Sequence, residues 1–201
     1  IEKIPDYYFQ AIGSGTGAIA AWEANLRFLE DGRFGSNKMK LMLSQNAPFL
    51  PIKEAWDQRS PAMLPIDDGL ARKQVDEINA KVLSNRKPPY ALKGGLYDAL
   101  MDAGGTIMAV TNKEAGKAAE LFLKYEGNDV EPAAAVAVAS LMKAVEEYQI
   151  DKKSLVMLNI TGGGLEKFKT ENNISYMTPE KIFALDADPM EVKQDIARMF
   201  N

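Results

Sequence analysis

Apolar residues in this 201-residue chain gather in short, nearly unbroken runs, separated by longer stretches with helical spacing. Four runs predict strands covered on both faces, because none places a polar residue at every second position. They are residues 6–12, rich in aromatics between Pro5 and Gly13; Leu41-Met42-Leu43 within 38–44; Thr106-Ile107-Met108-Ala109-Val110; and Leu155-Val156-Met157-Leu158-Asn159-Ile160. The stretches between them predict helices. One covers 17–31 and closes at Gly32, and a short one over 51–59 has Pro51 in its first turn. Residues 67–83 place Leu70, Val75, Ile78 and Val82 near one helical face, with Asp67 or Asp68 as the cap. A short helix over 95–101 stops at Gly104-Gly105, and Thr111 or Asn112 caps another that Gly127 stops. Pro132 starts a helix of small residues that reaches about Tyr148, a composition suited to close packing on a sheet. Asp188-Pro189 starts the last helix, which runs to about Phe200. Pro61 and Pro65 keep 60–67 irregular, and Pro88-Pro89 marks a further break.

Strand and helix alternate, so the expected fold class is α/β: a three-layer αβα arrangement with a mostly parallel sheet. In such sheets ligands sit beyond the carboxyl ends of the strands. Two glycine turns fall at such ends, Gly13-Ser14-Gly15-Thr16-Gly17 and Thr161-Gly162-Gly163-Gly164. The first has the order strand, glycine turn, helix. Glycines there leave no Cβ between the backbone N–H groups and an anion, and the helix N-terminus adds partial positive charge. A phosphate-bearing ligand is the expectation. A plain tight turn is the bland alternative, and the second glycine turn weighs against it. A dinucleotide-binding oxidoreductase domain is another, since Gly13, Gly15 and Ala18 satisfy G-x-G-x-x-G/A. That reading needs an acid at the end of the next strand for the ribose, and Ser44-Gln45-Asn46 stands there instead. Gln45 and Asn46 are themselves open to two readings, as neutral donors to an anion or as turn formers ahead of Pro48. A Walker loop fails, because no Lys-Ser/Thr pair follows the glycines.

Composition narrows the chemistry. The chain holds no histidine and no cysteine, which excludes Ser-His-Asp and Cys-His catalysis, disulfides and His/Cys metal sites. A formal charge of -4 argues against generic nucleic-acid binding. The longest apolar run, 132–142, is too short for the ~20 residues that span a bilayer. No signal peptide is visible, and a cytoplasmic setting is expected. The first residue is not Met and the glycine loop comes early, so the chain is read as a fragment or processed piece.

The run from Tyr7 to Glu23, YYFQAIGSGTGAIAAWE, resembles the phosphate loop of the threonine-synthase-like pyridoxal-phosphate enzymes, most closely the cysteate synthase branch. Three more blocks carry the resemblance: Pro88-Pro89-Tyr90-Ala91-Leu92-Lys93-Gly94-Gly95-Leu96-Tyr97-Asp98, Glu131-Pro132-Ala133-Ala134-Ala135, and Asn159-Ile160-Thr161-Gly162-Gly163-Gly164. Together they span nearly the whole chain. The resemblance implies part of the large domain of a fold-type II enzyme with pyridoxal 5'-phosphate as cofactor, over 1–201. It implies replacement of the phosphate of an O-phospho amino-acid substrate: O-phosphoserine with sulfite to give cysteate, or O-phosphohomoserine with water to give threonine. It carries Gly13, Ser14, Gly15, Thr16 and Gly17 to the cofactor phosphate and Thr161 to the pyridine nitrogen. A fragment that has lost part of its domain should expose apolar surface, so self-association through that face, as a homo-oligomer, is expected.

The family's Schiff-base lysine lies in an upstream motif that nothing here matches, so no catalytic residue is assigned and the chain alone is expected to be inactive. Lys93, between Leu92 and Gly94, is read as a surface or substrate-anion lysine. Gly163-Gly164-Leu165-Glu166-Lys167 replaces the His- and Lys-containing pattern of threonine synthases, which favours the cysteate branch. A partner subunit that lends its phosphate loop to a lysine-bearing chain is the remaining alternative.

Overall fold

The structure, a computed structural model, describes residues 3–147 and 150–200. Four strands form one sheet: β1 (Tyr7–Ala11), β2 (Lys40–Asn46), β3 (Thr106–Val110) and β4 (Val156–Leu158). The order is β3-β2-β1-β4 and every pairing is parallel, with Phe9 opposite both Met42 and Leu158. All three adjacent pairs therefore need crossovers, which the helices provide.

Helices cover both faces. On one side α1 (Thr16–Asp31), α2 (Pro51–Asp57) and α4 (Leu96–Ala103) pack on Tyr8, Leu41, Leu43 and Ile107. On the other, α5 (Asn112–Glu126) and α6 (Pro132–Glu147) cover Ala11, Val110, Phe9, Met42 and Met108. This is the expected αβα sandwich. Nine residues of α6 are buried, among them Ala134, Val136 and Ala137, because α6 lies between the sheet and α5. Small side chains let a helix sit that close on two sides, as the alanine-rich sequence implied. The expected end of α6 at Tyr148 lies outside the described residues. Thr111 caps α5 through a capping box: its hydroxyl accepts the Glu114 N–H while the Glu114 carboxylate accepts the Thr111 N–H.

Two expectations need correction. The helix over 67–83 is shorter: α3 (Asp68–Glu77) stops where Ile78 turns extended, and a separate 3-10 turn covers Lys81–Leu83. Tertiary polar contacts win over helical spacing here. Asn46 Oδ1 accepts the Ala80 N–H, Asn112 Oδ1 accepts the Asn79 N–H, and the Lys81 ammonium donates to the carbonyls of Val75 and Asp76. Ile78 is buried but Val82, placed on the same face by the periodicity, is 80% exposed. The fourth strand is also shorter than 155–160. After Leu158 the chain leaves the ladder, keeping one bond from the Asn159 N–H to the Phe9 carbonyl.

The chain divides into two compact units, Ile1–Phe168 and Lys169–Asn201. The first holds the sheet. A short helix not read from the sequence, α7 (Leu165–Glu171), starts within it. The second contains α8 (Pro189–Met199), whose Asp188 side chain accepts the Met190 N–H and whose residues are all at least partly exposed.

Candidate functional site

The first glycine turn connects β1 to α1. Gly15, the N-cap, has φ 82°, and a Cβ on it would fall 2.5 Å from a Leu96 methyl. Only glycine meets both conditions without strain. Gly13 is pressed on the 3-10 turn, with a hypothetical Cβ 3.0 Å from the Val82 carbonyl oxygen. No side chain caps α1 and no acid sits in its first turn. The first α1 amide taken up by a preceding carbonyl is that of Ile19, which bonds to Gly15. The amides of Gly17 and Ala18 thus have no acceptor within the protein among the described residues. The Ser14 and Thr16 hydroxyls lie 3.0 Å apart at the same mouth.

The second glycine turn follows β4, the strand beside β1. It folds against the start of α6: Val130 pairs with Gly163, the Glu131 N–H bonds to the Gly162 carbonyl, and the Gly164 N–H bonds to the Asp129 carbonyl. Gly163 lies so close to the Asp129 carbonyl that a Cβ there would overlap it. Burial draws the Asp129 carboxyl upward, yet the N–H groups of Glu166 and Lys167 that it accepts hold it below its ordinary value. An ionised Asp129 therefore fixes the start of α7 and closes the turn.

Thr161 is exposed and its hydroxyl has no partner within the protein among the described residues. It borders a cavity of about 470 Å³ walled by residues 79–82, 131–133 and Gly162. Val82 belongs both to this wall and to the backbone that meets Gly13. The two turns thus lie at the carboxyl ends of neighbouring strands with a shared wall between them.

That donor set fits a phosphate ester joined to a planar ring. Free amides, two hydroxyls and a helix N-terminus suit a dianion, and the cavity is of the size small-ligand sites have. Sequence reasoning missed the wall. Extending α3 through Val82 hides its 79–82 side, and residues 131–133 and Gly162 stand out in the sequence only as parts of motifs. Lys81 is the lysine of that wall, and its ammonium lies 2.7 and 2.6 Å from the Val75 and Asp76 carbonyls. Lys93 is exposed in the turn ahead of α4, away from the cavity wall. Gln45 Oε1 accepts the Ile52 and Lys53 N–H groups at the start of α2, while Asn46 does form a turn, its carbonyl accepting the Phe49 N–H across Ala47-Pro48, and its side chain braces Ala80 and Val110. No carboxylate stands at the end of β2, so the ribose contact of a dinucleotide fold has no candidate there. Among the described residues no group of acids could hold a metal ion, and no helix is long and apolar enough to cross a membrane.

A parallel αβα sheet with unpartnered helix-start amides beside a cavity at its strand ends defines a class of ligand-binding α/β domains. Comparison with known proteins places the chain within it. The family profile described as pyridoxal-phosphate dependent enzyme matches residues 1–162, and the chain belongs to that family. It is 48% identical over 192 residues to the cysteate synthase of Methanosarcina acetivorans, covering 95% of this chain and 46% of that protein. It is 51% identical over 180 residues to the cysteate synthase of Methanocella paludicola, covering 89% and 42%. The chain therefore spans less than half the length of these relatives. Two solved structures share the fold: a threonine deaminase from T.th., with TM-score 0.53 and 15% identity over 86% of this chain and 52% of that one, and a pyridoxal 5'-phosphate-dependent aspartate racemase, with TM-score 0.53 and 14% identity over 79% and 44%.

Proposed function

We propose that this chain supplies the phosphate loop and the ring-end wall of a cysteate synthase-like enzyme, one that replaces the phosphate of O-phosphoserine with sulfite. The observation that carries this is the placement of the two glycine turns at the ends of adjacent strands, with the Thr161 cavity between them. Identity near one half to proteins named cysteate synthase supports the choice of substrate over O-phosphohomoserine and water, the threonine synthase pair.

In this reading Gly17 and Ala18 give amides, and Ser14 and Thr16 give hydroxyls, to the cofactor phosphate. Gly13 and Gly15 keep the backbone low enough for it to approach. Thr161 gives the ring nitrogen a neutral hydrogen bond in place of a carboxylate, which leaves that nitrogen without a forced proton. When bound, pyridoxal phosphate supplies the electron sink for breaking and forming bonds along the amino-acid side chain. The anchoring lysine comes from polypeptide beyond these 201 residues. Lys81 is held by two carbonyls, and the relatives are about twice as long. The working protein is a homo-oligomer in this reading.

Calorimetric titration with pyridoxal phosphate and with pyridoxal tests the loop. The phosphate form should bind at least about tenfold tighter, and Ser14→Ala with Thr16→Val should erase most of that difference. Equal affinity for both aldehydes would sink the assignment. For the reaction, the longer lysine-bearing polypeptide should release phosphate from O-phosphoserine only when sulfite is added. Release from O-phosphohomoserine without sulfite would move the assignment to threonine synthesis.

A further inference from the structure

The geometry points to Tyr8 as a positioning residue that ties the two glycine turns to each other. Tyr8 lies on the face of β1 covered by α1 and is 4% exposed. Its hydroxyl accepts a hydrogen bond from Asn159 Nδ2 at 2.8 Å and donates one to Gln10 Oε1 at 3.0 Å. Asn159 stands two positions before Thr161, on the stem of the second turn. The Gln10 carboxamide fills the space beside Gly17, where a Cβ would fall 2.6 Å from Nε2. One hydroxyl therefore reaches the stem of one turn and, through Gln10, the first helical residues of the other.

The backbone leaves this task to the side chains. The β1–β4 ladder pairs Tyr7 to Phe9 with Val156 to Leu158 and ends below both turns. The last main-chain link is the Asn159 N–H to the Phe9 carbonyl, 2.9 Å. Among the described residues no ladder bond holds Ile160 or Thr161 to Ala11 or Ile12. The Val130–Gly163 bridge ties the second turn to the start of α6 rather than to β1. At the level of the turns, the Asn159–Tyr8–Gln10 chain is the direct link across the sheet. Burial pushes the Tyr8 hydroxyl above its ordinary value, outweighing the Asn159 bond that draws it down, so it stays a neutral donor. Buried chains of this kind fix geometry more sharply than isolated surface bonds do.

The proposal rests on the reading that both turns grip one ligand, and Tyr8→Phe tests it in two arms. The first is hydrogen exchange on the ligand-free chain. Exchange should rise about three- to tenfold at the hydrogen-bonded amides beside each turn, Ile19 at the first and Asn159 and Gly164 at the second, with Ile107 and Val110 of β3 unchanged. No change, or a uniform rise across the sheet, would overturn the proposal. The second arm compares ligands. Pyridoxal phosphate, which touches both turns, should bind about tenfold more weakly, whereas inorganic phosphate, which touches one, should bind as before. An unchanged affinity for both, or an equal loss for both, would overturn it. If the unaltered chain binds neither ligand, the cofactor reading fails, and the exchange arm still decides the role of Tyr8. Should Tyr8→Phe not fold, Asn159→Ala removes the same bond from its half-buried end and is read in the same two ways.

Discussion

At the scale of single residues, Gly15 bears the sharpest constraint. Its left-handed backbone and its contact with the buried Leu96 side chain act together, so Gly15→Ala should cost roughly 1–3 kcal/mol in urea unfolding. Alanine tolerated at no cost would contradict the loop geometry. The glycine turns were legible from the sequence because backbone freedom is written in residue type. The roles of Gln45 and Asn46 were not, since an amide side chain reads the same whether it meets an anion or a helix start 7 residues away. Nor could spacing show that Tyr8 meets Asn159, 151 residues apart. Thr161 was legible as the end of a strand beside glycines, but the wall it faces was not.

At the scale of elements, strands and most helices followed from apolar runs and punctuation by proline and glycine. The α3 region did not, because Asn46, Asn112 and Lys81 draw its last residues out of the helix, and such contacts have no local signature. Helix α4 illustrates how elements are joined by charge. Its Asp102 accepts the Trp22 indole N–H of α1 at 2.8 Å and pairs with Lys38 at 2.5 Å. The Lys38 bond first, and the Trp22 bond second, hold the Asp102 carboxyl below its ordinary 3.8. A carboxyl with a lower value folded than unfolded takes up a proton on unfolding, so its contribution is present above that ordinary value and is lost as pH falls below it. Melting temperature should therefore drop between about pH 5 and pH 3, and Asp102→Asn should flatten part of that slope while lowering the plateau near neutrality. An identical pH profile in the variant would show that this junction carries no stability.

At the scale of the whole molecule, the division into two compact units was not legible in the sequence, since no linker composition marks the junction near residue 168. The two differ in how they are held. The Ile1–Phe168 unit has a contiguous core on both faces of its sheet, whereas α8 buries no residue and 172–187 contains no helix or strand. Limited proteolysis should cut first within 172–187 and leave the sheet-bearing body intact. First cuts between β2 and α6 would contradict that order. The lysine at the cavity wall already commits its ammonium to two carbonyls that close the end of α3. An aldehyde lodged there meets no spare amine among the described residues of the wall, so vitamin B6 should wash out on dialysis, and borohydride should leave no tag on Lys81. A tag on Lys81 would mean that this clasp opens, and that the chain carries a latent reactive amine of its own.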